Sequence, residues 1–286
     1  MHRLILFLIT AVAAHAAVTP DKAENIRALL RDRKLAEAES AARTLVAGNP
    51  KEAEAHALLG ASRTAQGDGD GAVKAWEKAV ALESDNSEYH RQLGDAYGLV
   101  AQKAGMLGKM SLGKKCLAAY EKAVALEPAN LDARSSLVTV YQQAPAMMGG
   151  GIEKAREQAA AIKKLDATRG RVVYAILFIG EKKFAEAFAE LEQALESAPA
   201  DYSALYQFGR AAALSGDRID RGIETLSQCL AQQPPPGVPA HDAANWRLGN
   251  LWEKKGDRNA ARAAYRAALA VTPDYKPAVE ALKKLE

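Results

Sequence analysis

Asp242-Ala-Ala-Asn-Trp246-Arg-Leu248-Gly249-Asn-Leu-Trp252-Glu-Lys-Lys-Gly256-Asp-Arg-Asn-Ala-Ala261-Arg-Ala-Ala-Tyr265-Arg-Ala-Ala268-Leu-Ala-Val-Thr-Pro273 is the stretch that decides the fold. On either side of Gly256-Asp257, large and small apolar residues recur every three or four positions, the period of a helix with one buried face. Glycine ends the first helix, an aspartate opens the second, and Pro273 stops it. The stretch is therefore a helix–turn–helix unit.

The same unit recurs up the chain with a period of about 34 residues, and a period of that size decides the whole architecture. The copies lie near 19–52, 53–86, 87–130, 131–167, 168–201, 202–236 and 242–274, and residues 275–286 form one further amphipathic helix. Leu-Gly or a close variant stands at unit positions 7 and 8 as Leu59-Gly60, Leu93-Gly94, Phe208-Gly209 and Leu248-Gly249. Large residues at positions 4, 7, 11 and 24 fill the space between helices, and small ones at 8, 20 and 27 let them approach. The first copy is degenerate, with Ile26 in place of the glycine, as a capping unit can be. The third carries about ten extra residues around Gln102 to Ser111, and the turn of the fourth is stretched through Ala144-Pro-Ala-Met-Met-Gly-Gly-Gly151. Pro234 to Pro239 is a stiff link that cannot be helical.

These positions resemble the tetratricopeptide repeat, and the resemblance covers nearly all of the chain after residue 17. The expected fold is all-α, a right-handed α-solenoid of about seven such repeats with a C-terminal capping helix. The segment from Lys109 through Tyr120-Glu121-Lys122-Ala123 to Gly150 also looks like a subgroup of exported bacterial repeat proteins with an extended third unit and a glycine-rich turn in the next. The resemblance implies a bacterial origin and a protein-binding role, and no reaction. It further implies that positions 2, 5, 6, 9, 12 and 13 of each first helix line a concave groove. Projected onto this chain, they are Arg91, Gln92 and Asp95, then Ser135, Thr139 and Gln142, then Arg169, Val172 and Ile176, then Tyr206 and Arg210, and finally Trp246, Arg247 and Asn250. Arginine, tryptophan, tyrosine and amides suit an extended peptide or a helix, since they combine area with directional hydrogen bonds. Some family members grip a C-terminal carboxylate with lysine, asparagine and arginine at set positions. Here Asp95 stands where an amide is wanted and Val173 replaces the last arginine, so that clamp is not supported.

Composition bounds the function. The chain has 286 residues, 49% of them hydrophobic and 26% charged, which is too apolar for disorder. With 38 basic and 35 acidic residues the net charge is +3, which provides no electrostatic basis for binding nucleic acid. Residues 1–17 read as a signal peptide: a basic start, an apolar run from Leu4 to Ala13, and Ala14-His15-Ala16 as a small-x-small cleavage site. Cleavage is expected after Ala16 or Ala17, leaving residues 18–286 as a periplasmic or secreted repeat array; an uncleaved anchor is the alternative. The apolar run is too short for a bilayer span, and no other segment is long and apolar enough. Cys116 and Cys229 fall at packing positions of well-separated repeats and are expected to be buried free thiols.

A search for chemistry finds no catalytic constellation. His56 and His90 occupy packing positions, and His241 is expected to be a solvated helix-start residue. No histidine, cysteine or carboxylate spacing matches a metal site. Gly149-Gly150-Gly151 lacks the Lys-Ser/Thr of a phosphate loop, although its amides could hold an anion weakly. Asp68-Gly-Asp-Gly71 lacks the distal glutamate of a calcium loop. The sequence thus reads as a non-catalytic scaffold without cofactor or metal, whose partner is a protein or peptide. The alternative is a ligand-binding or enzymatic module built from the enlarged third and fourth repeats.

Overall fold

The computed structural model describes residues 20–235 and 238–285. The segment expected to direct export lies outside the described residues, as do Pro236 and Gly237 of the proline link. Fifteen α-helices and one 3-10 turn are present among the described residues, with no strand. The all-α, repeat-built fold expected from the sequence is therefore the observed one. The chain divides into two compact units, with the boundary between Ala133 and Arg134.

The first unit contains α1 (Pro20–Arg31), α2 (Leu35–Gly48), α3 (Ala53–Gln66), α4 (Gly69–Leu82), α5 (Ser87–Lys103) and α6 (Met106–Leu126). The boundary falls inside α7 (Leu131–Gln143). The second unit continues with α8 (Ile152–Leu165), α9 (Ala167–Gly180), α10 (Phe184–Ser197), α11 (Tyr202–Ser215), α12 (Ile219–Leu230), α13 (His241–Lys255), α14 (Arg258–Val271) and α15 (Lys276–Leu285). Within the first unit α1 touches α3 and α3 touches α5; within the second, α9 touches α11 and α11 touches α13. That step of two is what stacked helix–turn–helix units require, because each unit buries its apolar face on the next.

The helix pairs close on the glycine of the Leu-Gly positions. Trp76 lies against Gly60, Tyr120 against Gly94, Leu226 against Gly209 and Tyr265 against Gly249. A Cβ on these glycines would stand 2.7, 2.5, 2.2 and 2.3 Å from the opposing side chain, closer than any real contact. Turns are set by local chemistry. Gly67, Gly216 and Gly256 end α3, α11 and α13 with φ of 75°, 85° and 88°, a left-handed conformation that costs glycine nothing. Asp68 and Asp257 then accept hydrogen bonds from the Gly71 and Ala260 amides and open α4 and α14.

α5 has 17 residues and α6 has 21, against 14 in α3, α4, α9 and α10, with Ala104 and Gly105 between the two long helices. In the second unit, the core of α9 to α13 includes Phe188 and Phe208, whose ring centres are 5.0 Å apart. At its C-terminal end α15 buries Ala278 and Leu285 against Tyr265, Ala261 and Ala268. Overpacking a rigid site of this kind costs about 1–3 kcal/mol, and about 1 kcal/mol moves the melting point of a chain this size by roughly 2–4 °C. Gly249→Ala should therefore lower the Tm by several degrees in a calorimetric scan. Gly48→Ala, where a Cβ meets nothing within 4 Å, should leave it unchanged or raise it.

Candidate functional site

The residues expected to line a groove fall into three groups with different electrostatics. In the first unit Arg91 is held on every side. Its Nε and Nη2 donate to Glu88 at 2.8 and 2.6 Å, and its Nη1 donates to Asp95 at 2.7 Å. Gln92 also donates to Glu88, and Asp95 accepts from the Tyr120 hydroxyl at 2.6 Å. Burial pushes the Asp95 carboxyl above its ordinary pKa, opposed by the bonds from Tyr120 and Arg91. Burial works against the Arg91 charge too, but Glu88 and Asp95 carry its pKa above the ordinary arginine value. This is a closed network that welds α5 to α6 through Tyr120.

A second group joins α7 and α9 inside the second unit. Arg169 donates to the Ser135 hydroxyl at 2.9 Å, and the Ser135 carbonyl accepts from Thr139 at 3.1 Å. Thr139 is exposed, while Gln142 is partly buried with its amide beside Gly180. Val172 is buried in the core, and Ile176 packs against that core while staying partly exposed.

The third group sits on α11 and α13 and is built differently. Arg210 donates one bond, to the Gln207 side chain at 3.0 Å. Arg247 stacks its guanidinium on the Trp246 ring at 4.2 Å, and its Nε is buried without a hydrogen-bond partner. Neither arginine lies in an ion pair among the described residues. Burial, and then the positive charge of Arg247, pull the Arg210 pKa below its ordinary value. Two half-buried guanidinium groups thus lie in each other's field, and neither has a carboxylate within ion-pair distance among the described residues.

Aromatic residues frame the pair. Tyr206 is buried one turn before Arg210, and Trp246 meets Tyr275 edge-on at 6.2 Å. Asn250 accepts from the Tyr265 hydroxyl at 2.8 Å. Open clefts flank Trp246 on two sides. One of about 430 Å³ runs between Asn250 and the α15 residues Lys276, Glu280 and Lys284. The other, of about 550 Å³, is lined by Leu214, Arg247, Asn250, Lys254 and the carboxylate of Glu253, which borders both clefts.

The tetratricopeptide-repeat family model matches residues 23–89 and 212–276. A tetratricopeptide repeat protein from Parabacteroides merdae superposes with a TM-score of 0.65 at 16% identity, over 93% of this chain and 97% of that one. A thermophilic repeat protein of Thermus thermophilus superposes with a TM-score of 0.56 at 20% identity, over 67% of this chain and 97% of the other. The fold is that of the tetratricopeptide repeat. A comparison with curated proteins finds no match. Folds of this class generally serve protein–protein contacts and are typically non-catalytic.

Other expectations about chemistry change on contact with the structure. The amides of Gly149, Gly150 and Gly151 donate to the carbonyls of Ala146, Pro145 and Tyr141, so none is left to hold an anion. His56 and His90 do more than pack: each Nε2 lies 3.0 Å from a carbonyl of the preceding loop, Pro50 or Ser84. His241 does open α13, but it is partly buried, and its Nε2 lies 2.8 Å from the Gln232 carbonyl. Cys116 and Cys229 are buried and free, and burial pushes the Cys116 thiol up to about 11. Among the described residues no three His, Cys, Asp or Glu side chains group as metal ligands, and no helix is long and apolar enough to cross a membrane.

The pairing of Arg210 with Arg247 was missed in the sequence, although a signal for it exists. Arg91 has Glu88 at i−3 and Asp95 at i+4, the spacing of helical ion pairs. Arg210 and Arg247 have no acidic residue at three or four positions either way. The contrast predicts different responses to the same substitution. Arg210→Met removes an uncompensated charge and should leave stability unchanged or raise it. Arg91→Met strands Asp95 and should lower it by about 2 kcal/mol. Chemical denaturation of both variants checks the pair.

Proposed function

We propose that the chain is an exported, non-catalytic scaffold that binds a partner protein through an acidic segment seated on Arg210 and Arg247. The observation that carries this reading is the pair of half-buried guanidinium groups without a carboxylate partner. A protein gains nothing in stability from such a pair, while a carboxylate between them would regain the electrostatic cost and accept charge-assisted hydrogen bonds from both. Trp246 and its two clefts supply apolar area beside the charge, the combination typical of an interface anchor. Asn250 adds an amide at the edge of both clefts. The expected ligand is an extended peptide segment or helix with an acidic residue next to a large apolar one.

Arg91, Gln92 and Asp95 take a structural role in this reading, because their polar groups already satisfy one another. The bacterial, cell-envelope setting rests on residues 1–17, whose basic start, apolar run and small-x-small end suit export. After fractionation of the native host the chain should be found in the periplasm with its N-terminus at Ala17 or Val18; an intact Met1 there would overturn cleavage in favour of the uncleaved anchor, and recovery from the cytoplasm alone would overturn export.

The binding assignment is tested by capture from an envelope extract with the wild-type chain, Arg210→Glu and Trp246→Ala. Partners retained by wild type should be lost from both variants. Charge reversal at Arg210 should weaken the purified complex tenfold or more, which corresponds to about 1.4 kcal/mol or above. If both variants hold the same partners as wild type, the site is wrongly placed.

A further inference from the structure

Beyond the peptide site, the first unit carries a surface of a different kind at the end of the long α5–α6 hairpin. The seven residues by which α6 (21 residues) exceeds the 14 of α4 extend it by about 10 Å at the usual rise per residue. The apolar stripe of α6 runs through Tyr120, Leu117, Gly113, Met110 and Met106, at the spacing of one helical face. Tyr120 and Leu117 are buried, Gly113 and Met110 are partly covered, and Met106 is 81% exposed. Beside it Leu107 is 83% exposed, so two large apolar side chains stand next to each other in solvent. An isolated exposed leucine needs no explanation, whereas a core stripe that continues into solvent and ends in two large apolar residues does.

Within the tip's own stretch of sequence charge has one sign, and the acidic groups Asp68 and Asp70 lie at the turn that Lys103 reaches. From Ala96 to Tyr120 there is no aspartate or glutamate, while Lys103, Lys109, Lys114 and Lys115 all fall within the stretch and are exposed. Elsewhere the chain intersperses acidic and basic residues nearly one for one. None of the four lysines is in an ion pair among the described residues: Lys103 reaches the Gly67 carbonyl and Lys115 lies over the Tyr97 ring. A short apolar end ringed by unneutralised lysines matches the boundary of an anionic bilayer, where apolar side chains enter the acyl edge and lysines meet phosphates. An acidic protein surface would satisfy the lysines but would leave Met106 and Leu107, at the very end of the hairpin, without an apolar counterpart. We propose that the α5–α6 tip rests on an anionic lipid surface, with Met106 and Leu107 entering the interface and the lysines of α6 facing headgroup phosphates.

The test is a local depth measurement on the full chain, so that residues 1–17 cannot imitate the result. A nitroxide is attached at Leu107→Cys; the native thiols are buried and do not compete for the label. The labelled protein is mixed with vesicles of phosphatidylcholine alone or of phosphatidylcholine and phosphatidylglycerol in equal parts. On the mixed vesicles the label should become several-fold less accessible to a water-soluble nickel complex and more accessible to oxygen. A label at Lys51→Cys, on an exposed turn of the same unit, should stay in water. Adding Lys109→Glu and Lys114→Glu, or raising the salt, should abolish the change at residue 107. Vesicle binding with no change at residue 107, or a change that persists on phosphatidylcholine alone and survives the lysine reversals, would overturn the proposal.

Discussion

A large side chain of one helix lies on a bare glycine of its partner, and the rest of the architecture depends on that contact. Trp76 on Gly60, Tyr120 on Gly94, Leu226 on Gly209 and Tyr265 on Gly249 repeat the same solution in both units. Removing the Cβ lets two helix axes come close enough for the ring to fill the space between them, and close-packed interiors tolerate neither a gap nor an overlap there. The two seated tyrosines also do local work: the Tyr120 hydroxyl reaches Asp95, and the Tyr265 hydroxyl reaches Asn250. The contact therefore sets the distance between helices and ties down polar groups on the first helix of the pair.

Against this uniform frame, what differs between repeats is how arginines on the first helices are treated. Arg91 is neutralised from its own helix by Glu88 and Asp95, and Tyr120 locks the arrangement. Arg210 and Arg247 occupy comparable helices and are left without acidic partners, one held by an amide and the other by the face of an indole. The same residue type is thus neutralised in one unit and left uncompensated in the other. Compensation decides which, and exposure does not, since all three arginines are partly buried.

The fold was legible because its code is local. Leu-Gly at 248–249, Gly256, Ala261 and Tyr265 stand at spacings that only paired helices explain, and weaker copies inherit their reading from this one. The turn glycines were equally plain, since the left-handed conformation at Gly67, Gly216 and Gly256 is one that glycine favours. What could not be read was anything decided by neighbours distant in the chain. Local turn geometry was hidden as well: the glycine triplet at 149–151 suggested free amides, but Tyr141, Pro145 and Ala146, three to ten residues back, consume them. Val172 fell on the projected groove face and is buried in the core shared with residues of α10 and α11. Nor does a helical projection show that Arg210 and Arg247, 37 positions apart in the chain, share one field.

The placement of the two cysteines has a consequence for how each unit opens. Cys116 lies on α6 in the first unit and Cys229 on α12 in the second, each buried within its own set of helices. Burial raises both thiols above the ordinary cysteine value, which suppresses the thiolate that reacts. Reaction at either sulfur therefore waits on a fluctuation that lifts that particular helix from its neighbours. The chain carries one silent chemical reporter per unit, and the two labelling rates separate breathing of the first half from breathing of the second without any engineered probe.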